Sequence, residues 1–150
     1  MTIGIARSWR NTGDSLDADV LLDVALDRAP HADAAVELLT WFERHPRTAF
    51  VAWHTISNLY YLLRPVRGAG DARQFIGELA DFVTISPTDT DAARFAVVLP
   101  LADFEDAMQV AAARACGALY IATRNVKAFR QSPIPARTPA QLLKELGTSA

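Results

Sequence analysis

Helical periodicity dominates the hydrophobic pattern, and short apolar runs interrupt it at intervals. Residues 20–26 carry the first apolar stripe, after the polar start Asp17-Ala18-Asp19. Residues 31–45 carry a second, with Ala35, Leu38, Leu39 and Phe42 at helical spacing and Pro46 closing it. The β-prone run 48–53 predicts a buried strand. Ile56, Leu59, Tyr60 and Leu63 form a third stripe, ended by Pro65 and Gly68. Ala72, Phe75, Ile76 and Leu79 form a fourth, followed by a strand at 82–85. Ala92, Phe95, Ala96 and Leu99 form a fifth, stopped by Pro100. Phe104, Ala107, Met108 and Ala111 open a sixth that runs to Gly117, a left-handed helix stop. Strands at 118–123 and, shorter, near 134–137 follow. Thr138-Pro139 starts a last helix carrying Leu142, Leu143 and Leu146, with Pro139 at its first position.

Short apolar strands alternating with amphipathic helices predict an α/β fold, a parallel sheet covered on both faces. No repeat, low-complexity tract or linker divides the chain, so residues 16–150 read as a single domain. Residues 1–15 show no period and read as an irregular N-terminal segment. Within it, Gly13-Asp14-Ser15 is too polar for an ordinary central strand.

Composition narrows the classes. The chain has 150 residues, enough for one domain with a real core. Lys plus Arg is 15 against Asp plus Glu 17, a net charge of -2, so any nucleic-acid site is a local patch rather than a global field. Cys116 is the one cysteine, which excludes a disulfide framework and a multi-cysteine zinc site and suits a reducing cytoplasm. No apolar run approaches the ~18 residues of a spanning helix, and no secretory leader is recognisable.

Ligands of parallel α/β folds collect beyond the carboxyl ends of the strands. Asp17 and Asp19 fall where a first strand hands over to a helix, and Asn58 lies a few residues past the second strand. Asp103, Glu105 and Asp106 cluster at a helix start, and Thr123, Arg124 and Asn125 follow the fourth strand. Oxygen ligands of this kind suit Mg²⁺, which needs only one or two carboxylates because it keeps several waters. Such an ion orients and activates water and offsets charge on a phosphoryl oxygen.

The run Leu16-Asp17-Ala18-Asp19-Val20-Leu21-Leu22-Asp23 resembles the PIN domain family, as do Ile56-Ser57-Asn58-Leu59-Tyr60-Tyr61-Leu62-Leu63 and Asp103-Phe104-Glu105-Asp106-Ala107-Met108-Gln109. The most specific match is Tyr120-Ile121-Ala122-Thr123-Arg124-Asn125-Val126-Lys127, continuing through Phe129 to Ser132-Pro133-Ile134-Pro135. The motifs occur in the right order, and the resemblance covers roughly Leu16 to Leu146. It implies a three-layer, flavodoxin-like parallel sheet and a Mg²⁺- or Mn²⁺-dependent ribonuclease of the VapC-like toxin type. It also implies a homodimer and a cognate antitoxin as partner. Asp17 and Asp106 match the family's metal-binding acids. Asn58 stands where many relatives have glutamate, Asn125 where many have aspartate, and Ala128 where a second acid is common. The implied site is Asp17, Asp106, Asn58 and Asn125, with Asp19 and Asp103 as further metal ligands and Thr123, Arg124 and Lys127 toward RNA.

Plainer roles stand beside these. Asp19 and Asp103 suit helix caps, and Glu105, Asp23 and Asp27 suit solvated helix faces. Asn58 and Asn125 suit backbone hydrogen bonding. Arg124, Lys127 and Arg130 suit solvated loop charges as well as phosphate contacts. Cys116 suits helix-end packing. Trp41, Tyr61 and Leu62 suit core or dimer surface. Two other functions fit part of the pattern. Asp17-x-Asp19 matches the nucleophile-plus-acid signature of haloacid-dehalogenase-like phosphatases. A PIN-like domain with a thinned acidic site also suits an inactive RNA- or protein-binding module.

Overall fold

Five short parallel strands build the sheet, in the order β3-β2-β1-β4-β5. The computed structural model describes residues 13–147. The strands are β1 (Asp14–Leu16), β2 (Ala49–Val51), β3 (Val83–Ile85), β4 (Ile121–Ala122) and β5 (Ala136–Arg137). The helices are α1 (Ala18–Ala25), α2 (Ala32–Arg44), α3 (Trp53–Ala80), α4 (Thr90–Val98), α5 (Phe104–Ala115) and α6 (Pro139–Glu145). A 3-10 turn covers Val126–Phe129.

Strand side chains alternate between two faces, and the helices divide accordingly. Leu16, Ala49, Val51 and Ala122 pack with Leu21, Leu38, Phe42, Leu59, Leu63 and Leu142, which places α1, α2, α3 and α6 on one face. Phe50 and Ile121 pack with Val110, Ala113 and Phe129 on the other. There α4 lies against α5, with Ala96, Ala107 and Ala111 between them. The result is the three-layer α/β architecture expected from the periodicity.

The N-terminal expectation needs correction. Asp14 and Ser15 are not irregular; they belong to the central strand and are buried. Residues 1–12 of that segment lie outside the described residues, as do 148–150 of the expected domain. The polarity of the strand is answered by partners remote in sequence. Ser15 points to the α5 face, where its hydroxyl accepts from Gln109 Nε2 at 2.6 Å. Gly13 runs so close to Thr48 that an added Cβ would lie 1.8 Å from the Thr48 carbonyl oxygen. Only glycine fits that approach.

The third and fourth stripes share α3. The helix passes through Pro65 and breaks at Gly68, where φ is 84° and ψ 160°. That conformation is essentially confined to glycine, so of the two stops expected, Pro65 and Gly68, the break falls at Gly68. At the far end, Thr138 caps α6 in a reciprocal box with Gln141, and Pro139 takes the first turn.

Candidate active site

Strand order reverses direction between β1 and β4, and the crevice beyond their carboxyl ends is where this architecture places ligands. Asp17 leaves β1 there, and Thr123 leaves β4. The Asp17 N–H donates to Ala122 O at 2.9 Å, holding the two strand ends together. Asp17 then caps α1: its Oδ1 accepts from Ala18 N at 2.8 Å. Its Oδ2 accepts from Thr123 Oγ1 at 2.9 Å.

Asp19 enters from the first turn of α1. Its Oδ2 accepts from Arg124 N at 3.0 Å and stands 3.3 Å from Thr123 Oγ1. Its Oδ1 is buried and has no hydrogen-bond partner among the described residues. The roles expected of Asp19 were a helix cap and a metal ligand; the contact to the Arg124 backbone was not anticipated.

Asp106 arrives on α5. Asp103 caps that helix, its Oδ1 accepting from Glu105 N at 2.7 Å and Asp106 N at 3.2 Å. One turn further along, Gln109 is buried and locked. Its Nε2 reaches Ser15 Oγ and lies 3.4 Å from Leu16 O, while its Oε1 accepts from Thr55 Oγ1 at 3.3 Å. Residues three apart share a helix face, so this anchor carries Asp106 toward the Asp17 end of β1. Asn58 on α3 donates from Nδ2 to Glu105 Oε2 at 3.0 Å, closing the rim between α3 and α5. Glu105 is therefore exposed but not merely solvated.

The acids raise one another's carboxyls at this end of the sheet. Burial, the neighbouring Asp19 and, less strongly, Asp106 push the Asp17 carboxyl up to about 7 from 3.8. Burial, Asp103, Glu105 and Asp19 push Asp106 up to about 6. Burial also raises Asp19, against the lowering effect of Arg124. Asp17 and Asp106 are raised first by burial and then in part by neighbouring acids, Asp19 among them for both. Among the described residues, no three His, Cys, Asp or Glu side chains form a ready-made metal cage. An ion that keeps most of its waters does not need one. An all-oxygen donor set, a buried carboxylate oxygen without a partner and mutually repelling acids fit a hard divalent cation.

Other expected site residues lie in different positions. Asn125 is exposed, and its backbone N–H donates to Thr123 Oγ1 at 3.0 Å. Thr123 is fully buried, so it supports the acids and has no surface for an RNA phosphate. The Arg124 guanidinium is committed to Asp23, at 2.6 Å from Nε to Oδ2. Lys127 is exposed on the 3-10 turn. Ala128 packs against the apolar cluster around Phe50 and Phe129. Asp23 is the clearest surprise. It is not a solvated helix charge: its side chain is 1% exposed and lies between Arg124 and Arg28. The continuous apolar run around it gives no hint of a carboxylate whose partners lie 5 and 101 residues away. Gln109 was missed as a structural hub for the same reason.

Comparison with known proteins identifies the family and the fold. Residues 15–127 match the PIN domain family model, and the chain belongs to the PIN domain family. The haloacid-dehalogenase alternative gives way to that match. No curated protein sequence matches the chain. Solved structures share the fold. A chain of VapBC2 from Rickettsia felis, bound to a promoter DNA fragment, superposes with TM-score 0.66 at 13% identity, covering 83% of this chain and 97% of that one. A chain of DNA-bound VapBC from Salmonella typhimurium gives 0.64 at 16% identity, covering 85% and 98%. Mycobacterium tuberculosis VapC20, a toxin that cleaves the sarcin-ricin loop, gives 0.60 at 16% identity, covering 73% and 87%. Among the described residues no helix is long and apolar enough to cross a membrane.

Proposed function

We propose that this protein is a metal-dependent ribonuclease of the VapC toxin type, hydrolysing RNA phosphodiester bonds with Mg²⁺ or Mn²⁺. What supports the reading is the placement of Asp17 and Asp19 around Thr123 at the β1–β4 switch point of a PIN domain, with Asp106 near enough to raise the Asp17 carboxyl. Asp17 and Asp106 hold the cation, with Asp19 beside them. The bound ion supplies a Lewis acid for the phosphodiester and an activated water. Thr123 helps orient both carboxylates: its one hydroxyl proton donates to Asp17 Oδ2 at 2.9 Å, with Asp19 Oδ2 3.3 Å from the same oxygen. Asn58 holds Glu105 at the rim, and Asp103 fixes the helix turn that presents Asp106. Lys127, exposed next to Asn125, contacts RNA phosphate.

Exposed Tyr61, Leu62 and Val66 on α3 support a homodimer. The VapBC neighbours support an antitoxin partner, and the reduced single cysteine supports a cytoplasmic location. A second reading is favoured by Asn58, Asn125 and Ala128: a domain that binds RNA or protein with little or no cleavage. Amides offer oxygen but no charge, which lowers cation affinity.

Incubating the purified protein with labelled single-stranded RNA separates the two readings. Cleavage that requires Mn²⁺, stops with chelator and disappears in Asp106→Asn supports the nuclease. RNA binding by the parent with no cleavage at any Mn²⁺ concentration supports the second reading.

A further inference from the structure

We propose that Asp23 is a positioning residue of the acidic crevice, acting through Arg124 on Asp19 and Thr123. The geometry behind this is independent of any metal; its consequence for cation binding rests on the reading given under Proposed function.

Asp19 and Asp23 stand one turn apart on α1, on the same face. Arg124 spans that turn from the loop after β4. Its backbone N–H donates to Asp19 Oδ2 at 3.0 Å. Its guanidinium donates to Asp23, from Nε to Oδ2 at 2.6 Å and from Nη2 to Oδ1 at 3.3 Å. One residue therefore stitches the loop to the helix at two points. The stitch sets the peptide between Thr123 and Arg124, and with it the direction in which Thr123 Oγ1 faces Asp17 and Asp19.

Asp23 is built for that task. It is buried, and a buried carboxylate is tolerated only when its oxygens are paired. Arg28 Nε satisfies Oδ1 at 2.8 Å from the loop just after α1. Arg28 touches Asp19 only at its backbone carbonyl, 3.5 Å from Nη2, and not at its carboxylate. The two arginines therefore have separable duties: Arg28 holds Asp23, and Arg124 passes its position on to the crevice. Groups that orient ligands from outside in this way tune metal sites strongly.

A double-mutant cycle on the full chain tests the link. Asp23→Asn, Arg124→Gln and the double variant are compared with the parent for Mn²⁺ affinity by calorimetry and for amide hydrogen exchange by NMR. Outer-shell substitutions weaken metal binding about 10–100-fold. A loss of that size is expected in each single variant, with no further loss in the double variant. Arg94→Gln is the control: its ion pair with Asp91 is exposed on α4, and its loss leaves Mn²⁺ affinity at the parent value. Exchange of the Arg124 amide accelerates in Asp23→Asn while that of the α5 amides does not. A folded Asp23→Asn with parent affinity overturns the proposal, as do fully additive losses. A parent that binds no Mn²⁺ removes the metal reading instead. Amide exchange then decides alone, and an Arg124 amide as protected in Asp23→Asn as in the parent overturns the positioning role. Should Asp23→Asn not fold, Arg124→Gln, which leaves Asp23 with Arg28, reads the same link from its other end.

Discussion

Asp17 and Thr123 lie 106 residues apart in the chain and meet at 2.9 Å, hydroxyl to carboxylate, where two adjacent strands end. The contact joins the first and last strand ends of the crevice and holds an acid that burial alone would disfavour. It also explains why a threonine, rather than an apolar β-branched residue, follows Ala122. Replacing it removes a donor to a buried carboxylate.

Thr123→Val should therefore destabilise the protein by about 1.5–3 kcal/mol, the range for hydrogen bonds to charged groups. Urea denaturation near neutral pH measures this. The valine fits the strand end sterically, so a loss well below ~1 kcal/mol would mean that the hydroxyl does not hold the acid.

Without a cation the acids make stability fall as pH rises. Asp17 ionises at about 7 in the fold against 3.8 ordinarily. Below 3.8 it is protonated in both states and the cost is absent. Between the two values the folded chain keeps a proton that the unfolded chain has released, so raising pH favours unfolding. Asp106, at about 6, and Asp19, also raised, act in the same direction. In chelator, the urea midpoint should decline from about pH 4 to about pH 7. Adding Mn²⁺ at the upper end should restore it, because the ion binds only the folded state. A midpoint that climbs over this interval without metal contradicts the placement of these acids.

Gln109 and Ser15 provide a test of the buried network. Gln109→Leu leaves the Ser15 and Thr55 hydroxyls without their partner and should cost about 1–3 kcal/mol. Adding Ser15→Ala to Gln109→Leu should recover part of the loss, since removing both partners is cheaper than removing one. Denaturation of the single and double variants gives the coupling directly. Purely additive losses would mean that the 2.6 Å contact does not matter energetically.

Gly13→Ala should abolish folding under conditions where the parent is native. Its Cβ would fall 1.8 Å from the Thr48 carbonyl oxygen, a backbone atom that cannot move without disrupting the β1–β2 pairing. Circular dichroism and soluble yield report it. A native-like Gly13→Ala would mean that the two strands separate at low cost.

Much of this was legible in the chain because helix stripes and apolar strand runs are local signals. Leu38, Leu39 and Phe42 mark α2, and the run around Phe50 marks β2, without reference to any partner. The acids at strand ends were legible for a related reason: a carboxylate at the edge of a buried strand has few structural uses. What was hidden depended on contacts between distant residues. Ser15 looks wrong for a central strand until Gln109, 94 residues later, is placed over it. Asp23 looks like a surface charge until Arg124 arrives from 101 residues away. Thr123 and Arg124 carried a motif that pointed to RNA, while their side chains turn inward to Asp17 and Asp23. Pro65 and Gly68 together marked the end of the third stripe, and the helix passes Pro65, which removes only one ladder bond, to break at Gly68.

On the proposed function, Asp17 and Asp106 form one cation site in the crevice between β1 and β4. Calorimetric titration of Mn²⁺ into the parent, Asp17→Asn and Asp106→Asn tests it most directly. Binding to the parent and sharply weaker binding to both variants, with all three folded, is the predicted result. Equal Mn²⁺ affinity in the parent and in folded Asp17→Asn would contradict it.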